Sequence, residues 1–102
     1  MDKRYKPQPL GEALMQRKAL VEALTEQAGL SLSIAVRQIR TGLRLTVPEY
    51  AKVTGVAERT IYAVESNKGN PSLNTANKLL APLGFKLGVV PKIFPIVQKN
   101  EE

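Results

Sequence analysis

Apolar residues recur at helical spacing through most of this chain. Leu10, Leu14, Val21, Leu24 and Ala28 form one stripe at intervals of four, seven, three and four. That period predicts a first helix over residues 10–28. Arg17 interrupts the stripe, Leu20 flanks it, and Gly29 supplies a stop just beyond it. Ser33 to about Thr41 predicts a second helix, capped by Ser31 or Ser33, with Val36 and Ile39 inward and Arg37 and Arg40 pointing elsewhere. Thr46 is the expected N-cap of a third helix running to about Thr54. Pro48 is tolerated in its first turn, where backbone donors are unpaired anyway, and Glu49 suits the positive end of its dipole. A fourth helix, roughly Glu58 to Asn67, buries Ile61 and Val64. Ser72 caps a fifth, Leu73 to about Leu83, whose inward stripe is Leu73, Ala76, Leu79, Leu80 and Leu83. Pro82 removes a donor from its last turn and Gly84 ends it.

Beyond Gly84 the period changes. Phe85, Leu87 and Val89 alternate with Lys86, Gly88 and Val90, which predicts one short strand closed by Pro91. A lone strand leaves its backbone groups unsatisfied, so it needs a partner, and a second copy of the chain is the simplest one. Residues 93–97, IFPIV, are apolar but broken by proline; they suit covering the strand or binding another protein. The chain thus divides into a flexible basic arm at 1–9, an N-terminal helix at 10–29, a central helical domain at 30–84, and a strand and tail at 85–102.

Composition narrows the function. Fifteen Lys and Arg against nine acidic residues give a net charge of +6, which suits a polyanionic partner. The charge is unevenly placed: residues 30–71 hold six Lys or Arg against three Glu, half of the excess. Without cysteine there is no disulfide scaffold and no thiolate metal site; without histidine, His-based catalysis and most zinc chemistry are excluded. Asp2 is the only aspartate, and no glycine-rich phosphate loop occurs. No enzyme, cofactor or metal is therefore expected. No apolar run approaches the length of a membrane span, and no signal-peptide pattern opens the chain, so a cytoplasmic, nucleoid-associated bacterial protein is the expectation.

The most informative stretch is Leu45 to Leu73, LTVPEYAKVTGVAERTIYAVESNKGNPSL. Small Ala51 lets two short helices approach, Gly55 can take the positive φ that reverses the chain, and Ile61 anchors the second helix while leaving its other face free. From Arg40 to Leu83 the chain resembles the Xre (Cro/cI-type) helix-turn-helix family. The resemblance rests on Leu45-Thr46, Glu49-Tyr50-Ala51, Gly55-Val56, Thr60-Ile61, Glu65, and GNPSL at 69–73 followed by a Leu-rich helix ending in Leu83-Gly84. It implies a mainly α, lambda-repressor-like domain of five helices, with an extra N-terminal helix and a short C-terminal strand pairing in a dimer. Val47 stands where many members carry Gln, Ala57 where many carry a capping Ser, Arg44 where Gly is common, and Thr54 where Leu or Ile is common.

By that resemblance, Glu58, Arg59, Tyr62 and Ala63 face DNA bases from the recognition helix. Thr46, Thr60, Ser66, Asn67, Lys68 and Asn70 bind the DNA backbone. Arg40 and Glu65 form a structural ion pair. An Arg can donate two bonds to guanine O6 and N7, and a Glu can accept from cytosine N4. Phe85, Lys86, Leu87, Gly88, Val89 and Val90 are the first candidates for dimerisation, and helix 10–28 is the second. A strand directly after the fifth helix also resembles HipB-like antitoxins, whose dimers repress their own operon and bind a kinase-type toxin. Two functions remain open: a homodimeric transcriptional repressor on an inverted repeat, which the second resemblance extends to an antitoxin, or a module that neutralises a partner toxin with DNA binding secondary.

Overall fold

A computed structural model describes residues 10–27 and 29–91. The basic arm at 1–9, Ala28 and the tail at 92–102 lie outside the described residues. Five helices follow in order: α1 (Leu10–Thr25), α2 (Leu32–Gly42), α3 (Val47–Thr54), α4 (Glu58–Glu65) and α5 (Leu73–Leu80), closed by a 3-10 turn at Ala81–Leu83. Among the described residues no helix is long and apolar enough to cross a membrane.

The core is a single cluster. Val36 and Ile39 of α2, Val47 and Tyr50 of α3, Ile61 and Val64 of α4, and Leu79, Leu80 and Leu83 bury together, with Val56 filling the turn between α3 and α4. Helix α2 is central, touching α1, α4 and α5. Its inward side chains stand three residues apart, which keeps one narrow stripe in the core and leaves Arg37 outside.

Local chemistry sets the helix boundaries. Ser31, not Ser33, caps α2, accepting from the Ile34 amide at 3.4 Å. Thr46 caps α3 in a reciprocal box: its hydroxyl accepts from the Glu49 amide at 3.2 Å, and the Glu49 carboxylate accepts from the Thr46 amide at 2.8 Å. Gly55 ends α3 at φ 76, where a residue with a Cβ is strained. Ala57 gives α4 no side-chain cap. Pro82 halts α5 at Leu80 and tightens the following residues into the 3-10 turn. Arg44, at a position where glycine is common in this class of motif, takes a positive φ of 63.

Three expectations need correction. Within the described part of the α1 stripe, Leu24 is buried and Val21 packs against the core beside the flanking Leu20, but Leu14 is exposed. Arg17 interrupts the stripe for a reason: its guanidinium donates to the Pro82 carbonyl and ties α1 to the end of α5. Leu73, in the first turn of α5, is likewise exposed. The strand expected at Phe85–Val90 is not formed within the single chain, and no strand occurs among the described residues. The expected pairing is with a second copy, and within the single chain the same alternation lays the segment on the core. Phe85 and Leu87 turn onto the core, while Lys86, Gly88 and Val89 face outward. The Phe85 amide donates to the Leu80 carbonyl at 3.1 Å and the Leu87 amide to Asn77 Oδ1 at 2.8 Å.

Candidate nucleic-acid interface

Helix α4 has two faces of opposite character. Ile61 and Val64 are buried to 0% and 3% exposure, fixing one face against α2 and α3. Glu58, Arg59 and Tyr62 lie on the other face and are exposed. Spacings of one, three and four residues bring these side chains to one side of a helix. Ala63 is half-buried, and its carbonyl accepts from the amides of Lys68 at 2.8 Å and Gly69 at 3.1 Å. It supports the following loop as much as it faces outward. That loop approaches closely: a Cβ on Gly69 would stand 3.0 Å from the Ala63 Cβ, a tight contact that glycine avoids.

The far end of α4 is held by charge. Arg40 Nε donates to Glu65 Oε2 at 2.7 Å and Arg40 Nη2 to Glu65 Oε1 at 2.9 Å, a two-point fork on one carboxylate. Arg40 Nη1 also donates to the Leu45 carbonyl at 2.9 Å, so one side chain joins α2, the α2–α3 connection and α4. The paired side chains are only 14% and 10% exposed, which excludes most of the water that would screen them. Ser33 adds a second tie, its hydroxyl donating to the Glu65 carbonyl at 2.9 Å. The two residues are 32 apart in sequence, and no local pattern signals the contact.

Tyr50, part of the Glu49-Tyr50-Ala51 resemblance but without an expected role, is a principal structural residue. It is fully buried, and its hydroxyl donates to the Leu79 carbonyl near the end of α5. Burial raises its pKa well above the ordinary tyrosine value; the nearby Glu65 charge pushes the same way and Arg40 opposes it. The available signal was its place three residues after Val47, the spacing that sets both on one helix face.

The other expected contact residues divide by exposure. Ser66, Asn67, Lys68 and Asn70 are exposed at the end of α4 and in the loop after it, and Thr60 is half-buried. Asn67 takes a positive φ of 60, tolerable for Asn, and turns the chain out of the helix. The Ser66 hydroxyl donates back to the Tyr62 carbonyl at 2.8 Å. Thr46 differs from these: it is buried and its hydroxyl is engaged in capping α3. No group of His, Cys, Asp or Glu among the described residues is arranged to hold a metal ion.

The family model for the helix-turn-helix, HTH_3, matches residues 36–90, which include α3, α4, the loop after them and both partners of the Arg40–Glu65 pair. The chain belongs to the helix-turn-helix family, of the Xre (Cro/cI) type. The match does not reach the narrower HipB-like subgroup. An uncharacterized HTH-type transcriptional regulator of Haemophilus influenzae is 38% identical over 52 residues, covering 51% of this chain and 53% of that one. The chain therefore spans about half the length of that relative. No solved structure matches it.

Proposed function

We propose that this helix-turn-helix protein is a transcriptional regulator that binds duplex DNA through α4. The observation that carries the reading is the division of α4: an exposed row at Glu58, Arg59 and Tyr62 opposite a buried row at Ile61 and Val64. A helix held in this way presents fixed side chains to the major groove without exposing its anchoring face. Arg59 donates two bonds to a guanine edge, Glu58 accepts from cytosine or restrains Arg59, and Tyr62 and Ala63 supply apolar contact. Ser66, Asn67, Lys68 and Asn70 contact phosphates, with Thr60 at the margin; these contacts set register rather than sequence. Thr46 differs from the others of this set in being buried, with its hydroxyl accepting from the Glu49 amide.

A single α4 reads only a few base pairs. We infer a homodimer on an inverted repeat, with recognition helices about 34 Å apart, acting as a repressor. The proposed contact is residues 85–90, whose outward side chains and exposed position suit pairing with a second copy. The test uses the duplex that wild-type protein selects from a random-sequence pool. Affinity should fall steeply and log-linearly with salt as phosphate contacts release counterions. Arg59→Ala should lose about 1–3 kcal/mol of discrimination between the selected and scrambled duplexes. If no duplex is selected, the DNA-binding reading fails; equal affinity of Arg59→Ala for the selected duplex overturns the recognition face alone.

A further inference from the structure

An apolar groove of about 370 Å³ lies on the side of the domain formed by the end of α1, the start of α2 and residues 85–90. Its floor is the core itself, at Leu24, Ile39 and Leu80; its walls are Leu30, Leu32 and Leu87. We propose that this groove is filled by the apolar run Ile93–Val97 of the same chain, inserted through its side chains.

Three observations select this occupant. The chain reaches the edge of the groove just where the described residues end: Val90 lines it, and Pro91 follows. Ile93 is two residues beyond Pro91, within about 7 Å at full extension. The run Ile93-Phe94-Pro95-Ile96-Val97 holds four large apolar side chains between Lys92 and the polar QKNEE terminus. Left in water, that surface forfeits the burial the groove offers. Pro95 lacks an amide donor and interrupts any strand ladder, so the run suits side-chain insertion better than backbone pairing.

The same-chain assignment follows from tethering. A short linker holds the run beside the groove at an effective concentration in the millimolar range, far above that of a second molecule at ordinary protein concentrations. A second copy could compete only if the linker could not turn back. Pro91 biases Val90 towards an extended conformation and leaves the residues after it free to reverse. This inference is independent of DNA binding. It places the apolar tail on the face bounded by α1 and α2, while the outward side of 85–90 stays accessible.

The full-length protein, labelled uniformly with carbon-13, provides the test. Nuclear Overhauser contacts from the Phe94 ring to the methyl groups of Leu30, Leu32 or Leu87 are expected. They should be missing from a filtered spectrum of a mixture of labelled and unlabelled chains, which reports contacts between molecules only. Phe94→Ser should lower Tm by about 4–8 °C, the shift that a small domain shows for each kcal/mol lost, and by the same amount at all protein concentrations. No Phe94 contact to the groove overturns the proposal, as does a contact seen only between molecules. Unchanged melting of Phe94→Ser does so too. If that variant fails to fold, the wild-type spectra alone decide.

Discussion

Helices α3 and α4 are the two halves of the motif and have the same length, eight residues each, yet they are fixed at opposite ends. Helix α3 is secured at its start, by the Thr46–Glu49 box, and released through a left-handed Gly55. Helix α4 starts with an Ala57 that offers no cap and is secured at its end, by the Arg40–Glu65 fork and the Ser33 bond. Clamping the end of α4 leaves Glu58, Arg59 and Tyr62, all in its first two turns, free of structural duty. The residues that hold the motif and those proposed to read DNA are therefore different side chains, and they can be perturbed separately.

The largest expected effect is at the α4 clamp. Glu65→Ala removes one partner from a nearly buried pair and strands the Arg40 guanidinium, at a cost of about 3–5 kcal/mol. Chemical denaturation measures it; a wild-type midpoint would show that the fork contributes nothing to stability. Next comes Tyr50→Phe, which leaves the Leu79 carbonyl without its buried donor and costs about 1–3 kcal/mol. This variant also carries a pH signature. The fold retains the Tyr50 proton, while the unfolded chain releases it above the ordinary value of 10.0. Stability of the wild type should thus decline as pH rises past 10, and the Phe variant should lose that part of the slope. Melting curves between pH 8 and 11 would separate the two, and parallel curves would count against the burial of this hydroxyl.

The α3 cap is expected to matter less. Thr46→Ala should cost about 0.5–2 kcal/mol, with no loss of the fold. The complementary change, Ala57→Ser, supplies the cap that α4 lacks and should stabilise by about 1 kcal/mol. If both helices responded equally to capping changes, the contrast between their fixed ends would be mistaken. The smallest effect on stability belongs to Arg59→Ala, an exposed position, where a shift within about 0.5 kcal/mol is expected. Its consequence should appear in DNA discrimination alone.

The elements themselves were legible from local signals. Thr46, Gly55, Ser72 and Gly84 mark helix boundaries by their own chemistry, and Ile61, Val64, Leu79, Leu80 and Leu83 reveal the core by their spacing. Legibility failed where a residue's role depends on something distant in sequence. Leu14 and Leu73 keep helical period yet stay exposed, because periodicity gives a face but not what covers it. Phe85 to Val90 alternate like a strand, but alternation also describes an extended segment laid on a helical core, and only the positions of α2 and α5 distinguish the two. Within the candidate interface, the exposed row of α4 followed from the buried one. Ala63 and Thr46 did not, since one is partly occupied by the Gly69 loop and the other by its own cap.

By itself, the sequence determined the helical class, the turn at Gly55, the helix-turn-helix family and the basic character of the central domain. These depend on side-chain size, capping chemistry and backbone freedom, which act within a few residues. The tertiary structure decided the rest. It sent the Tyr50 hydroxyl to the Leu79 carbonyl and the Ser33 hydroxyl to the Glu65 carbonyl. It also turned Arg17 from an irregularity in a stripe into a tie to Pro82. Each of these contacts spans at least 29 residues, and contacts of that range come into being only once packing of the apolar faces has fixed where the helices lie.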